Sequence, residues 1–386
     1  MTRRIWLLSA VMLVNRAGTM VLAFMTLYCT QYKHFSYSQA GWVVGFYGLG
    51  AVTGAFIGGK ISDRFGFYYV QALSLLMGGI SFFILGFMQT YIAICICSFC
   101  LSLVNESFRP ANASAISHYS TPENRTKSFS LVRLAINLGW GIGSALGGIL
   151  SSINYKLLFW VDGSTNILAA ILLLVILPVV SITQQKKNVL DKPKTKKDSP
   201  FRDRHFMYYI GFKLIFAMCF FQLFTTVPIY FKDDLHISEF WYGMVSSLNG
   251  VMIAVFEMVL VSKLEGKRPY LHLISLGSVL MAISFILLNF TFLNSLVLAF
   301  SAIIILTLAE MIAMPFMNTW YISRSNEHNR GQYAAVYTMA WSAAQVIGST
   351  TGAQAAHAVG FRDLWYIIAG LSLVAAGGYW WLLKKV

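Results

Sequence analysis

Seven charged side chains stand inside long apolar runs of this 386-residue chain: Arg16, Glu106, Arg109, Arg133, Lys213, Glu257 and Glu310. A charge held away from water is costly unless it is paired, hydrated or used, so each invites a functional reading beside a structural one. Arg16, next to Asn15, lies near the middle of its run and cannot easily reach either end, which points it at a polar cavity or a buried carboxylate. Glu106 and Arg109 are three apart, neighbours on one helix face, and can neutralise each other. Arg133 and Lys213 lie a turn or two inside the end of a run, where a long stem can carry the charge out. Glu310 has no basic neighbour one turn away, and an isolated carboxylate in low dielectric is a group that can carry a proton; Glu257 and Glu106 are the other candidates for that task. Asp162 is expected to cap or anchor the end of its own run. The amides Gln222, Asn249, Asn318 and Gln345 need partners, which a polar cavity or a neighbouring helix can supply; with Asn15, Arg16, Arg109 and Lys213 they form the expected solute-binding set.

The elements that must position these residues follow from composition. The chain is 57% hydrophobic and 11% charged, with a mean hydropathy of +0.64, which leaves too little polar surface to face water; its solvent is lipid. Runs of about 20 mostly apolar residues, enough to cross roughly 30 Å of hydrocarbon as helix, fall near 5–28, 39–59, 69–88, 91–113, 128–150, 157–182, 206–230, 240–262, 270–292, 294–317, 333–357 and 364–383. They lack the period-two alternation of a membrane barrel, so the spans are helices and the fold class is all-α, polytopic.

A net charge of +14 would suggest nucleic acid in a soluble protein, but its distribution speaks for a membrane. With both termini cytoplasmic, the inner loops and tails hold 21 of the 29 basic residues, eight of them between Lys186 and Arg204, whereas the outer loops hold only Lys33, Lys156, Lys232 and Arg362. The first run is too long for a signal peptide and reads as a retained helix. Five cysteines lie in or at the ends of apolar runs without metal-ligand spacing and read as packing residues. The one long polar stretch, basic and poor in apolar residues, divides the chain into a bundle at 1–182, a cytoplasmic linker at 183–205 and a bundle at 206–386, with short loops making each an up-down six-helix bundle.

The two bundles echo each other. Pro110 recurs as Pro315, Asn124-Arg125 as Asn329-Arg330, Gly143-Ser144-x-x-Gly147 as Gly348-Ser349-x-x-Gly352, and Trp160 as Trp365, all 205 positions apart. Internal repeats in a polytopic protein are the mark of transporters, whose binding sites lie between the repeats. Between helices 2 and 3 stands Gly58-Gly59-Lys60-Ile61-Ser62-Asp63-Arg64-Phe65-Gly66, with glycines for a tight turn and an acid-base pair at the membrane face. This resembles the signature loop of the major facilitator superfamily, with Gly59, Asp63, Arg64 and Gly66 at the matching positions; Phe67, Tyr68 and Tyr69 replace the basic residues that usually follow. The resemblance implies that Asp63 holds the cytoplasmic side closed as a latch. Helix 5 carries Gly139-x-x-x-Gly143-Ser144-x-x-Gly147-Gly148, small residues that let another helix approach closely. It resembles the helix-5 motif of the family's drug/proton antiporters, with Ser144 where proline is usual.

The resemblance covers the whole chain and implies a secondary active transporter, proton-coupled, moving a small organic solute by alternating access, in the manner of the drug/proton antiporters. The alternative it implies is a proton-coupled symporter for peptides, amino acids or other carboxylate-bearing solutes, because the family's peptide transporters also place an arginine in helix 1 and a glutamate in helix 10. The paired glutamates those carriers have in helix 1 are absent here. No nucleotide-binding glycine loop, histidine-carboxylate metal constellation or nucleophile-base pair at recognisable spacing is present, so an enzyme is not expected, nor a cofactor or metal. The expected partners are solute, protons and the lipid bilayer of the plasma (inner) membrane around a monomer, and no nucleic acid.

Overall fold

The computed structural model describes residues 2–121, 125–177, 199–292, 294–325 and 330–385, and among these every regular element is a helix. In chain order they are α1 (Arg3–Ala17), α2 (Met20–Leu27), α3 (Tyr37–Phe65), α4 (Phe67–Phe87), α5 (Tyr91–Tyr119), α6 (Arg125–Ile153), α7 (Lys156–Ile176), α8 (Arg204–Phe220), α9 (Gln222–Asp233), α10 (Glu239–Leu264), α11 (Tyr270–Leu287), α12 (Ser295–Arg324) and α13 (Arg330–Leu383). Eleven stretches among the described residues are long and apolar enough to cross a bilayer, and the last of these, Gln332–Leu383, has 52 residues. It breaks at Gly360, whose φ of 77° favours glycine, so the expected spans at 333–357 and 364–383 are its two arms. By packing, the chain falls into two compact units, Met1–Leu190 with Ser238–Ala254, and Asp191–Ile237 with Val255–Val386. The expected linker lies outside the described residues as far as Asp198.

Two spans stop short in mid-run. α1 ends at Ala17 and α2 begins at Met20, while α8 ends at Phe220 and α9 begins at Gln222, 202 positions further on. The equivalence continues to their far ends, where His34 (φ 56°) and His236 (φ 53°) both adopt the left-handed conformation that non-glycine residues seldom visit. There Phe35 N–H donates to the Cys29 carbonyl at 2.9 Å and Ile237 N–H to that of Phe231 at 2.8 Å, the same wrapped ending twice. The repeat is therefore present in backbone conformation as well as in scattered residue identities. In the prolines of α5 and α12 it reaches side chains: Ser114 donates to the Pro110 carbonyl and Thr319 to that of Pro315, each at 3.1 Å.

A helix started in mid-membrane leaves N–H groups that lipid cannot satisfy. In the first unit Asp162 of α7 meets that need, its carboxylate accepting from Met20 N–H at 3.1 Å and Val21 N–H at 2.8 Å. Asp162 is thus a cap, as expected, but of a neighbouring helix rather than its own. Asn15 donates to the Asn166 side chain at 3.0 Å, Asn166 donates to the Asp162 carbonyl at 2.9 Å, and Thr19 donates to the Arg16 carbonyl. Gly18 packs so tightly on Thr165 that a Cβ would fall 1.7 Å from its hydroxyl. At the second break the fastener is Gln222, which donates to the carbonyls of Met218 and Gly348 at 2.9 and 2.8 Å and accepts from Thr226 at 3.0 Å.

Close backbone approach at small residues fixes the remaining helices. Along α3, Gly50, Gly54 and Gly58 lie against the backbone of Phe99, Leu103 and Ser107 of α5. The glycines of α6 serve two faces. Gly139, Gly143 and Gly147 receive helix 1 at Arg16, Ala17 and Phe24, whereas Gly148 meets Gly243 of α10, whose Cα would lie 2.8 Å from an added Cβ. That stretch of α10 is held to the first unit further by Tyr242, which donates to the Ala23 carbonyl, and by Glu239, which accepts from Tyr155, both at 2.9 Å.

We expect Asp162→Ala to cost about 1–3 kcal/mol, because it leaves two buried N–H donors without their acceptor, seen as a lower thermal midpoint of the detergent-purified protein. Asp162→Asn keeps one acceptor oxygen and should fall between. An unchanged midpoint in Asp162→Ala would show that the break is held by its surroundings instead.

Candidate functional site

The break in helix 1 opens onto a cavity within the first unit, lined by Asn15, Arg16 and Thr19 and closed by Tyr47 of α3 and Asn105 and Glu106 of α5. Asn15 is spoken for by Asn166, which leaves Arg16 and Glu106 as the charged groups presented there. The Arg16 Nε is buried and makes no hydrogen bond, and the charges in whose field it lies are Glu106 and Arg109. Glu106 accepts from the Arg109 Nε at 3.1 Å, an i,i+3 pair in which Glu106 is 12% exposed and Arg109 59%, so an inner carboxylate is joined to a base that reaches outward. Pro110, four residues after Glu106, has no N–H to give to its carbonyl, which adds an unused acceptor to the same stretch of α5. Two arginines and one carboxylate give the cluster a net charge of +1, which becomes +2 when Glu106 takes a proton.

The second unit has a different centre. Lys213 of α8 is fully buried. Its ammonium donates to the Tyr337 carbonyl at 2.7 Å and lies 3.6 Å from the centre of the Tyr337 ring and 5.1 Å from that of Trp341. The expectation that its stem carries the charge out to water is not met, because α13 packs along α8 and covers it. Tyr337, Trp341 and Gln345 follow one another at four-residue spacing and so share a face of α13. Trp341 continues into an aromatic group with Phe220 at 5.6 Å and Phe221 at 5.1 Å, and Phe224 lies 5.7 Å from Phe220.

The structure thus brings Asn15, Arg16, Glu106 and Arg109 together in one unit and gathers Lys213, Gln222 and Gln345 along α8, α9 and α13 in the other. Gln222 is occupied as the fastener of the second break. Asn249 and Glu257 of α10 are buried, each with an interaction partner, and Glu310 is half-buried on α12, also engaged. Asn318 faces outward, its amide donating to the Met314 carbonyl at 3.3 Å. Arg133 is exposed on α6, as a long stem near a run's end allows. In the signature loop, Gly58 and Gly59 prove helical and α3 runs on to Phe65, so the turn is Gly66 alone, at φ 90° and ψ 148°. Arg64 is exposed there, and the Asp63 side chain lies outside the described residues. Sequence reasoning missed Asn105, Asn166 and the Gly50/Gly54/Gly58 stripe; the four-residue glycine spacing was the available signal, whereas the amides carried none.

A family model, the Major Facilitator Superfamily, matches residues 7–349. The chain is 24% identical over 329 residues to "Multidrug resistance protein 2" of Bacillus subtilis (strain 168), spanning 83% of this chain and 80% of that one. It is 21% identical over 408 residues to a "Na(+), Li(+), K(+)/H(+) antiporter" of Planococcus maritimus, with 96% and 93% covered. Among solved structures, a POT family transporter in complex with 5-aminolevulinic acid superposes with a TM-score of 0.81 at 14% identity, over 97% of this chain and 94% of that one, a likeness of fold. With its apolar spans, its signature loop and a family match over most of its length, the chain belongs to the Major Facilitator Superfamily and is a multi-pass membrane transporter, not an enzyme.

Proposed function

We propose that this protein is a proton-coupled secondary transporter that exchanges a small organic solute for protons by alternating access, in the manner of the drug/proton antiporters. It acts as a monomer in the plasma (inner) membrane with both termini cytoplasmic, the orientation its basic loops favour. The observation that carries the reading is that Arg16 and Glu106, the latter paired with Arg109, face a cavity at a broken helix, since intramembrane charge beside unwound backbone is where transporters of this architecture bind and couple. Protonation of Glu106 raises the cluster's positive charge, so a cationic amphipathic solute and a proton disfavour each other, which is what exchange requires. The similarity to "Multidrug resistance protein 2" supports the direction of the proposal. Glu310 and Glu257, within the spans of the second unit, are the further stations for protons.

One feature favours a second reading. The buried Arg16 Nε, which makes no hydrogen bond, suits a solute carboxylate, and protonation of Glu106 would release Arg109 and leave the cluster more positive, so that proton and anionic solute travel together.

Proteoliposome currents on solid-supported membranes separate the two. Cationic drugs should drive proton movement against their own, whereas currents from dipeptides, amino acids or organic acids running with the proton gradient would establish the symporter. Glu106→Gln and Glu310→Gln should each be measured: the variant that removes the coupling proton loses gradient-driven flux by at least about tenfold while solute exchange persists, and unchanged pH dependence takes that carboxylate out of the coupling role. Arg16→Ala should weaken binding of carboxylate-bearing ligands by about tenfold or more relative to neutral ones if the second reading holds; equal losses for both would make Arg16 a structural charge.

A further inference from the structure

Two of the four basic residues assigned to the outer loops, Lys33 and Lys156, are brought together in the first unit. The residues before them, Tyr32 and Tyr155, have their rings 6.1 Å apart, and the Lys33 ammonium lies 5.6 Å from the centre of the Tyr32 ring and 5.7 Å from that of Tyr28. Lys33 Nζ donates to the Gln89 side chain at 2.8 Å, which brings it over the end of α4, two residues past Phe87. Burial and the neighbouring Lys156 ammonium hold Lys33 below the ordinary lysine range. Neither lysine has a carboxylate at ion-pair distance among the described residues. Glu239, which shares the corner through Tyr155, accepts from that hydroxyl at 2.9 Å; counted with both lysines it leaves a net charge of +1. Lys156 also opens α7, whose first turn contains no acidic residue, so the helix dipole adds to its charge.

Beside Lys156 a cleft runs between the end of α4 and the start of α7, with about 250 Å³ of empty space, its open side included. Phe83 and Phe87 form its walls with Trp160, their rings 5.1 and 5.9 Å from the indole. Phe159 is the floor, where Gly86 makes room: a Cβ there would fall 3.1 Å from that of Phe159. The rim is open, Phe87 being 63% exposed and Trp160 49%. The second unit shows that the fold does not require this. Lys156 and Trp160 correspond, 205 positions on, to Phe361 and Trp365, and there the phenylalanine stacks 5.9 Å from a tryptophan that is fully buried. The first unit thus has a cation where the second has a packing ring, and its tryptophan is left uncovered. Open aromatic rings at the ends of two apolar spans, next to a pair of ammonium groups, match a molecule with an anionic head and a hydrocarbon tail. We propose that this corner binds one anionic phospholipid, its phosphate between Lys33 and Lys156 and the start of an acyl chain along Phe87 and Trp160. The site lies apart from the Arg16 cavity and does not depend on which solute is carried.

The test uses the full-length protein in phosphatidylcholine bilayers containing a small fraction of brominated lipid, either phosphatidylglycerol or phosphatidylcholine, with the bromine near the glycerol end of the chains. Trp160 emission is isolated by subtracting the spectrum of Trp160→Phe. At equal fractions, brominated phosphatidylglycerol should quench Trp160 with an apparent affinity at least about fivefold above that of the phosphatidylcholine. The double variant Lys33→Gln/Lys156→Gln should bring the two lipids to parity. Lys156→Arg should keep the preference, because it keeps the charge that meets the phosphate. Should the double variant not fold, the parent protein decides by salt: the preference should fall toward parity as ionic strength rises to about 1 M. Parity in the parent, a preference that persists without both lysines, or one that salt does not move overturns the site. Parity in the parent together with a change of Trp160 emission on adding inorganic phosphate would give the lysines to a soluble anion, and the lipid would be the wrong occupant.

Discussion

Hydrocarbon offers no hydrogen bonds, so every peptide group within a span must be satisfied by the chain itself, and an interruption in mid-span needs a dedicated partner. The Asp162 carboxylate on the two N–H groups that open α2 is that partner in the first unit. Without it the Gly18–Thr19 break would leave donors facing apolar side chains, and the Arg16 guanidinium would lose the opening onto which it projects. The second unit solves the same problem with different chemistry: the Gln222 amide bridges to the Gly348 carbonyl, and a Cβ on Gly352 would fall 2.1 Å from the Gln222 side-chain oxygen. Equivalent breaks are thus answered once by a carboxylate and once by an amide.

The two units share a backbone plan but not a charge plan. In the first, Arg16 and Glu106 line a cavity, and the glycines of α6 allow helix 1 to lie close enough for Arg16 to meet it. In the second, the position of charge is taken by Lys213, countered by aromatic faces instead of a carboxylate.

Part of the candidate site could be read directly. Glu106 and Arg109 at three-residue spacing had to be neighbours on a helix, and they are. Arg16 in mid-run had to find a cavity or a carboxylate, and it has the first with the second close by. Lys213 and Asp162 were misjudged for one reason. Distance along a helix from its end says how far a side chain lies from water only if nothing covers it, and α13 covers Lys213 whereas α2 begins beside Asp162. Gln222 and Asn318 show the same limit for amides: identical in hydropathy argument, one fastens a broken helix and the other faces outward.

The sequence alone determined the all-α polytopic fold, the approximate places of the apolar spans, the two-fold repeat and the family, because each rests on local quantities: apolar length, charge order along the chain and residues recurring at a fixed interval. Only the tertiary structure decided where the spans break, which side chains satisfy those breaks, and which buried charges face a cavity, a partner or a ring. Those choices depend on which helix faces touch, and a pattern along one helix carries no information about the helix beside it.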